Sequence, residues 1–123
     1  MLGGFEFVMK LGDRLRKNSE FQKVYRNSRS FANHMLVVYL LPHPENLKRR
    51  VGFSVSKKMG KAVQRNRIKR LLREAYRLNQ HKLEEGLDLI IIPRQKIIGA
   101  KYKEVEKGMI NLFKKAGILR KGM

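Results

Sequence analysis

Residues 50–79 read RVGFSVSKKMGKAVQRNRIKRLLREAYRLN and residues 87–93 read LDLIIIP, and these two stretches decide the fold. Over 50–56, polar or small residues alternate with apolar Val51, Phe53 and Val55, the two-residue period of a strand with one buried face. Lys57-Lys58-Met59-Gly60-Lys61 follows as a basic turn. The next stretch, 62–79, contains no Gly or Pro and is predicted to be helical. Residues 87–92 are almost continuously apolar and rich in isoleucine, which suits a short buried strand, and Pro93 closes it. A strand, a helix and a strand at this spacing allow the two strands to run parallel, joined by a crossover.

Upstream, Asn18-Ser19-Glu20 caps a predicted helix over 19–27, with Phe21, Val24 and Tyr25 on one face. Phe31 and then the β-favouring stretch 35–41 follow, until Pro42 and Pro44 stop the strand and begin a loop. Downstream, Tyr102, Val105, Met109, Leu112, Phe113 and Ala116 form one stripe of a helix over 101–116 that Gly117 caps. The order α-β-β-β-α-β-α describes an α+β fold, a two-layer sandwich of a central, mostly antiparallel sheet with helices. Residues 9–119 read as a single domain. Residues 1–8 read as an N-terminal extension outside the ordered fold, since Met9-Lys10-Leu11 would serve as a natural start, and 120–123 as a basic tail.

The chain has 123 residues, with 29 Lys and Arg against 10 Asp and Glu, a formal charge of +19. Such a chain repels itself unless a polyanion neutralises it, and nucleic acid is the commonest partner for this balance. The longest apolar block, 87–93, is broken by Asp88 and falls far short of a membrane span, so no membrane partner is expected. The N-terminus carries no basic leader before its apolar residues, which argues against secretion and for the cytoplasm. Cysteine is absent, which removes disulfides, thiolate nucleophiles and cysteine-held zinc together.

No constellation for catalysis by the chain itself stands out. His34, His43 and His81 lie in separate elements without metal-ligand spacing, and Ser54 and Ser56 have no partnered His and Asp nearby in sequence. Glu84-Glu85 reads as a loop or helix-end pair, and Asp88 and Glu74 could hold an ion only weakly. No catalytic residue and no protein metal site is assigned.

The helix over 62–79 carries the functional signal. At about 100° per residue, Ile68, Leu71, Leu72, Ala75 and Leu78 cluster on one side, and Arg65, Asn66, Lys69, Arg70, Arg73 and Arg77 spread over the other. Like charges four apart (Arg65 and Lys69, Lys69 and Arg73, Arg73 and Arg77) each cost the free helix a few tenths of a kcal/mol, so stability did not select the pattern. Guanidinium forks match phosphate oxygens, and an asparagine amide both donates and accepts. A merely solvated basic face is the competing reading.

Arg65-Asn66-Arg67-Ile68-Lys69-Arg70-Leu71-Leu72-Arg73-Glu74 resembles the signature of the bacterial ribonuclease P protein family, which places Arg-Asn-Arg, Lys-Arg and a further Arg on one helix. Val51-Gly52-Phe53-Ser54-Val55-Ser56-Lys57-Lys58-Met59-Gly60-Lys61-Ala62-Val63 is similar to the strand and basic turn preceding it in that family. The likeness runs from about 10 to 116 through Phe21-Gln22-Lys23-Val24-Tyr25, Ser30-Phe31-Ala32-Asn33 and Asp88-Leu89-Ile90-Ile91-Ile92-Pro93-Arg94. His34 departs from it, standing where a basic residue is common, which makes the local charge pH-dependent.

The resemblance implies the fold of the second domain of the fifth small-subunit ribosomal protein, with a left-handed βαβ crossover that generic topology would not suggest. It implies an endoribonuclease whose catalytic subunit is RNA, with this chain as accessory. Its partners would be ribonuclease P RNA and precursor tRNA, without DNA, and its cofactor Mg²⁺ bound mainly through the RNA, with no organic cofactor. Two RNA surfaces are implied. One, for the catalytic RNA, comprises Arg65, Asn66, Arg67, Lys69, Arg70 and Arg73 with Lys57, Lys58 and Lys61, where Gly60 lets the turn approach a phosphate.

The other is a cleft between the sheet and the first helix for the single-stranded 5′ leader, with Phe21, Tyr25, Phe31 and Tyr39 as stacking platforms, Asn33 beside them, and Lys23, Arg50 and Lys57 as nearby cations. Aromatics at such positions serve equally as core. A structural RNA-binding protein of ribosomal or nucleoid type is the alternative that uses the same cationic face. An independent nuclease would need a carboxylate or histidine cluster.

Overall fold

The structure is a computed structural model and describes residues 7–9, 13–14, 28–42 and 49–120. Its elements are β1 (Phe7–Met9), β2 (Asp13–Arg14), β3 (Arg29–Ala32), β4 (Leu36–Pro42), β5 (Arg49–Phe53), α1 (Ala62–Asn79), β6 (Leu87–Pro93) and α2 (Tyr102–Ala116). The helix expected over 19–27, with Phe21, Lys23 and Tyr25, lies outside the described residues. The α+β reading holds. β1 pairs antiparallel with β5, so the sheet reaches into the stretch read as an extension.

The apolar run at 87–93 becomes the middle of the sheet, whose order is β1-β5-β6-β4-β3 with β2 also on β5. β6 runs parallel to β5 and antiparallel to β4, as expected of two strands joined through a long helix. Register sorts the side chains by face. Val51 lies beside Leu89, and Phe53 and Val38 lie beside Ile91, so Leu36, Val38, Leu40, Val51, Phe53, Leu89 and Ile91 share the face that α1 and α2 cover.

β5 departs from the one-sided strand expected of it, because 51–55 are buried throughout, Gly52 and Ser54 included. Alternation reports polarity only. A glycine and a serine are small enough to be covered, and the Ser54 N–H donates to the Ile91 carbonyl at 3.1 Å. Ile90 and Asp88, on that second face, are buried as well.

Ile68, Leu72, Ala75 and Tyr76 bury the inner side of α1. Leu78, expected in that stripe, is 44% exposed, whereas Tyr76 is fully buried. Helical geometry explains the exchange, since Tyr76 lies about 40° around the helix from Leu72 and Leu78 about 120°. The Tyr76 ring meets Phe53 and Phe113 edge-on, at centroid distances of 6.2 and 6.4 Å and interplanar angles of 79° and 86°. Its hydroxyl finds no hydrogen-bond partner among the described residues, and burial drives its pKa far up.

α2 begins where the Lys101 N–H donates to the Glu104 carboxylate at 2.9 Å and ends at Gly117 in the left-handed conformation, φ 73°. Gly108 brings α2 close to the β3–β4 turn, for a Cβ there would stand 3.2 Å from Met35 Sδ. The helices are joined at Glu106, whose Oε2 accepts from Asn79 Nδ2 at 2.9 Å and from the Tyr102 hydroxyl at 3.0 Å.

These donors, Asn79 first, hold the Glu106 pKa below its ordinary 4.5. A carboxylate depressed in the folded state stabilises fully above its unfolded pKa, and that contribution disappears as pH falls through the folded value. Glu106→Gln should therefore melt below the parent near neutrality, with the gap closing on acidification below about pH 4. Paired melting curves across pH 3–7 check this expectation, and a gap of constant size would refute it.

Candidate nucleic-acid interface

A short 3-10 turn, Lys57–Met59, leads into α1. Met59 is buried and pins the turn, while Lys57, Lys58 and Lys61 are exposed around it. Gly60 has φ 122°, a backbone conformation that favours glycine, and a Cβ there would also have to displace the end of the Gln64 side chain. Arg65 Nε donates to the Gly60 carbonyl at 3.1 Å and fastens turn to helix. No side chain caps the start of α1 and no acidic residue lies in its first turn. The first amide groups thus add a positive end to a ring of lysines.

Along α1 the polar side chains separate into two groups. Asn66, Arg67, Arg70 and Arg77 form an exposed outer ridge. Arg65, Lys69 and Arg73 are half-buried on the shoulder nearer the core, so the face read as uniformly outward is narrower than expected. In angular terms Lys69 lies only about 60° from Leu72, and Arg70 about 160°. Arg67 Nη2 donates to the Ala100 carbonyl at 2.9 Å, which leans this side chain toward α2. Glu74, the single acid of α1, is ion-paired with Arg77, and that hydrogen bond holds its pKa below the usual carboxylate value.

The expected leader residues do not all converge. Tyr39 and Arg50 lie on the sheet face away from the two helices, Tyr39 beside Ile90 and Arg50 beside Asp88. Arg50 is bound in a bidentate pair, Nε to Asp88 Oδ1 at 2.8 Å and Nη2 to Oδ2 at 2.7 Å, with Asp88 2% and Arg50 19% exposed. Phe31 pairs with Val38 and packs against the core on the opposite face from Tyr39. Asn33 works as a brace: its Oδ1 accepts from the N–H groups of Met35 and Leu36, and its Nδ2 donates to the Gly108 carbonyl at 2.8 Å.

One feature escaped the sequence reading. His34, Lys58, Arg94 and Lys96, from three separate connections, line a cavity of about 560 Å³ together with Ser56, Met59, Pro93 and Gln95. Arg94 is fixed there by Nη1 donating to the Asn33 carbonyl at 3.0 Å. Residues 34, 58 and 94–96 are too far apart in sequence to declare one site, and the cationic tail of the strand at Arg94 was the available signal. Among the described residues no three of His, Asp and Glu gather as metal ligands, and no helix is long and apolar enough to cross a membrane.

A mixed sheet backed by two helices, with an uncapped and cation-ringed helix start, defines a small basic α+β protein with a surface suited to a polyanion. A family model described as ribonuclease P matches residues 9–117. The chain is 48% identical over 111 residues to the ribonuclease P protein component of Alkaliphilus oremlandii, covering 90% of this chain and 96% of that one. It is 50% identical over 110 residues to the component from Clostridium perfringens, covering 85% and 88%. Among solved structures, the ribonuclease P protein of Staphylococcus aureus matches with a TM-score of 0.79 at 34% identity over 87% of this chain and 97% of that one. The Thermotoga maritima protein gives 0.76 at 31% over 84% and 96%. The chain belongs to the ribonuclease P protein family.

The Arg50–Asp88 pair should be structural. Asp88→Asn takes the bidentate carboxylate charge from a largely buried guanidinium and is expected to lower stability by about 3 kcal/mol. Urea unfolding would measure the loss, and a cost under about 1 kcal/mol, the size of a surface pair, would contradict it.

Proposed function

We propose that this chain is the protein subunit of ribonuclease P, binding the catalytic RNA with α1 and its preceding turn and helping to remove the 5′ leader of precursor tRNA in the cytoplasm. The observation that carries the reading is the exposed ridge of Asn66, Arg67 and Arg70 leading back to an uncapped helix start among Lys57, Lys58 and Lys61. Phosphates at this surface would displace counterions and relieve the repulsion within the helix.

The leader fits the groove of His34, Lys58, Arg94 and Lys96 better than Arg50, whose fork is engaged by Asp88. In this reading Tyr39 contributes from the sheet face, Phe31 supports from the core, and Asn33 shapes the rim through its grip on the turn. Holding the leader favours precursor over mature tRNA.

Mg²⁺ belongs with the RNA subunit in this proposal, where it would direct water at the scissile phosphate. Neither acid that the sequence offered for an ion is free for it, because Asp88 is held by Arg50 and Glu74 by Arg77. What the chain supplies is charge and a shaped surface.

Adding the purified protein to a bacterial ribonuclease P RNA and precursor tRNA at low Mg²⁺ should stimulate leader removal, and unchanged cleavage would count decisively against this function. Replacing Arg65, Arg67 and Arg70 together by alanine should weaken RNA assembly and flatten its log–log salt dependence by about 0.7–0.9 per lost phosphate contact. An unaltered slope would return those arginines to the role of a solvated face.

A further inference from the structure

A cavity of about 350 Å³ opens on the α1–α2 surface, lined by Arg67, Arg70, Leu71, Glu74 and Tyr102. Its floor is apolar, since Leu71 and Tyr102 are half-buried and both pack against the core. The Tyr102 ring is held from behind by its hydroxyl, which donates to Glu106, itself gripped by Asn79. Burial first, and then Glu106, push that hydroxyl's pKa up to about 12.

The rim is cationic on the outer side. Arg67 is anchored at Ala100 yet exposed, and Arg70 is exposed and makes no hydrogen bond or ion pair with a described residue. Glu74, one turn beyond Arg70 on the same side of α1, also lines the cavity, with its charge engaged by Arg77. A flat ring on an apolar floor beside two guanidinium groups matches a base carrying phosphates on either side. An apolar side chain from a protein partner would fill the floor but leave both arginines unanswered. A base within a duplex is stacked between its neighbours and could not enter.

We propose that this cavity receives one unpaired nucleotide of the catalytic RNA, its base stacked on Tyr102 and its flanking phosphates held by Arg67 and Arg70. This rests on the subunit assignment and adds a single-nucleotide recognition point beside the cationic ridge. It also gives Arg67 a role distinct from that of Arg65 and Lys69, which lie on the other shoulder of the helix.

Ultraviolet crosslinking of the wild-type protein to a bacterial ribonuclease P RNA, followed by mass spectrometry, should recover a nucleotide on the peptide containing Tyr102. Tyr102→Leu, which keeps the apolar floor, should lower RNA affinity about 5- to 150-fold, while Tyr102→Phe keeps the ring and should stay within about twofold. Protein that binds the RNA yet gives no Tyr102 adduct overturns the proposal, and this arm requires no variant to fold. Parent-like affinity in a Tyr102→Leu protein of unchanged melting temperature overturns it too. Failure of the wild type to bind the RNA at all would instead sink the subunit assignment, and this proposal with it.

Discussion

The seam beneath α1, where Ile68, Leu72, Ala75 and Tyr76 enter the core with Phe53 and Phe113, fixes which way every cation of that helix points. Its strength can be weighed against what opposes it. Each like-charge pair four residues apart costs a few tenths of a kcal/mol, about 1 kcal/mol for the three along this helix. Burying a single leucine or isoleucine gives about 1.5–3 kcal/mol. Leu72 or Ile68 alone therefore outweighs the repulsion, and the helix can hold its charge row before any RNA arrives.

Several acidic groups among the described residues have structural partners. Asp88 sits under Arg50, Glu106 joins the helices, and Glu104 closes the start of α2. Glu74, the acid on the cationic helix, is taken up by Arg77 at its far end. A polyanion approaching the first turns of α1 thus meets lysines, arginines and backbone amides without a carboxylate of that helix among them.

Much of this was legible in the sequence because it depends on local periodicity. The bounds of the long helix, the buried isoleucine strand, the parallel pairing and the Gly117 cap all follow from spacing and residue type. What local periodicity did not show depends on partners distant in the chain. Leu78 and Tyr76 exchanged places because a broad apolar stripe does not reveal where a neighbouring layer stops. Register also sets Arg50 beside Asp88 and Phe31 beside Val38 on the face toward the helices, neighbours that no local pattern announces. The groove of His34, Lys58, Arg94 and Lys96 exists only after three connections meet.

The bracing at Asn33 bears on kinetics. Its carboxamide ties the β3–β4 turn to α2, and its carbonyl anchors Arg94 at the groove wall. A wall already immobilised has little conformational entropy left to lose when a strand settles against it. Encounter rates set by the chain's overall charge would then vary little among ligands, and discrimination would be expressed chiefly in how long each one stays.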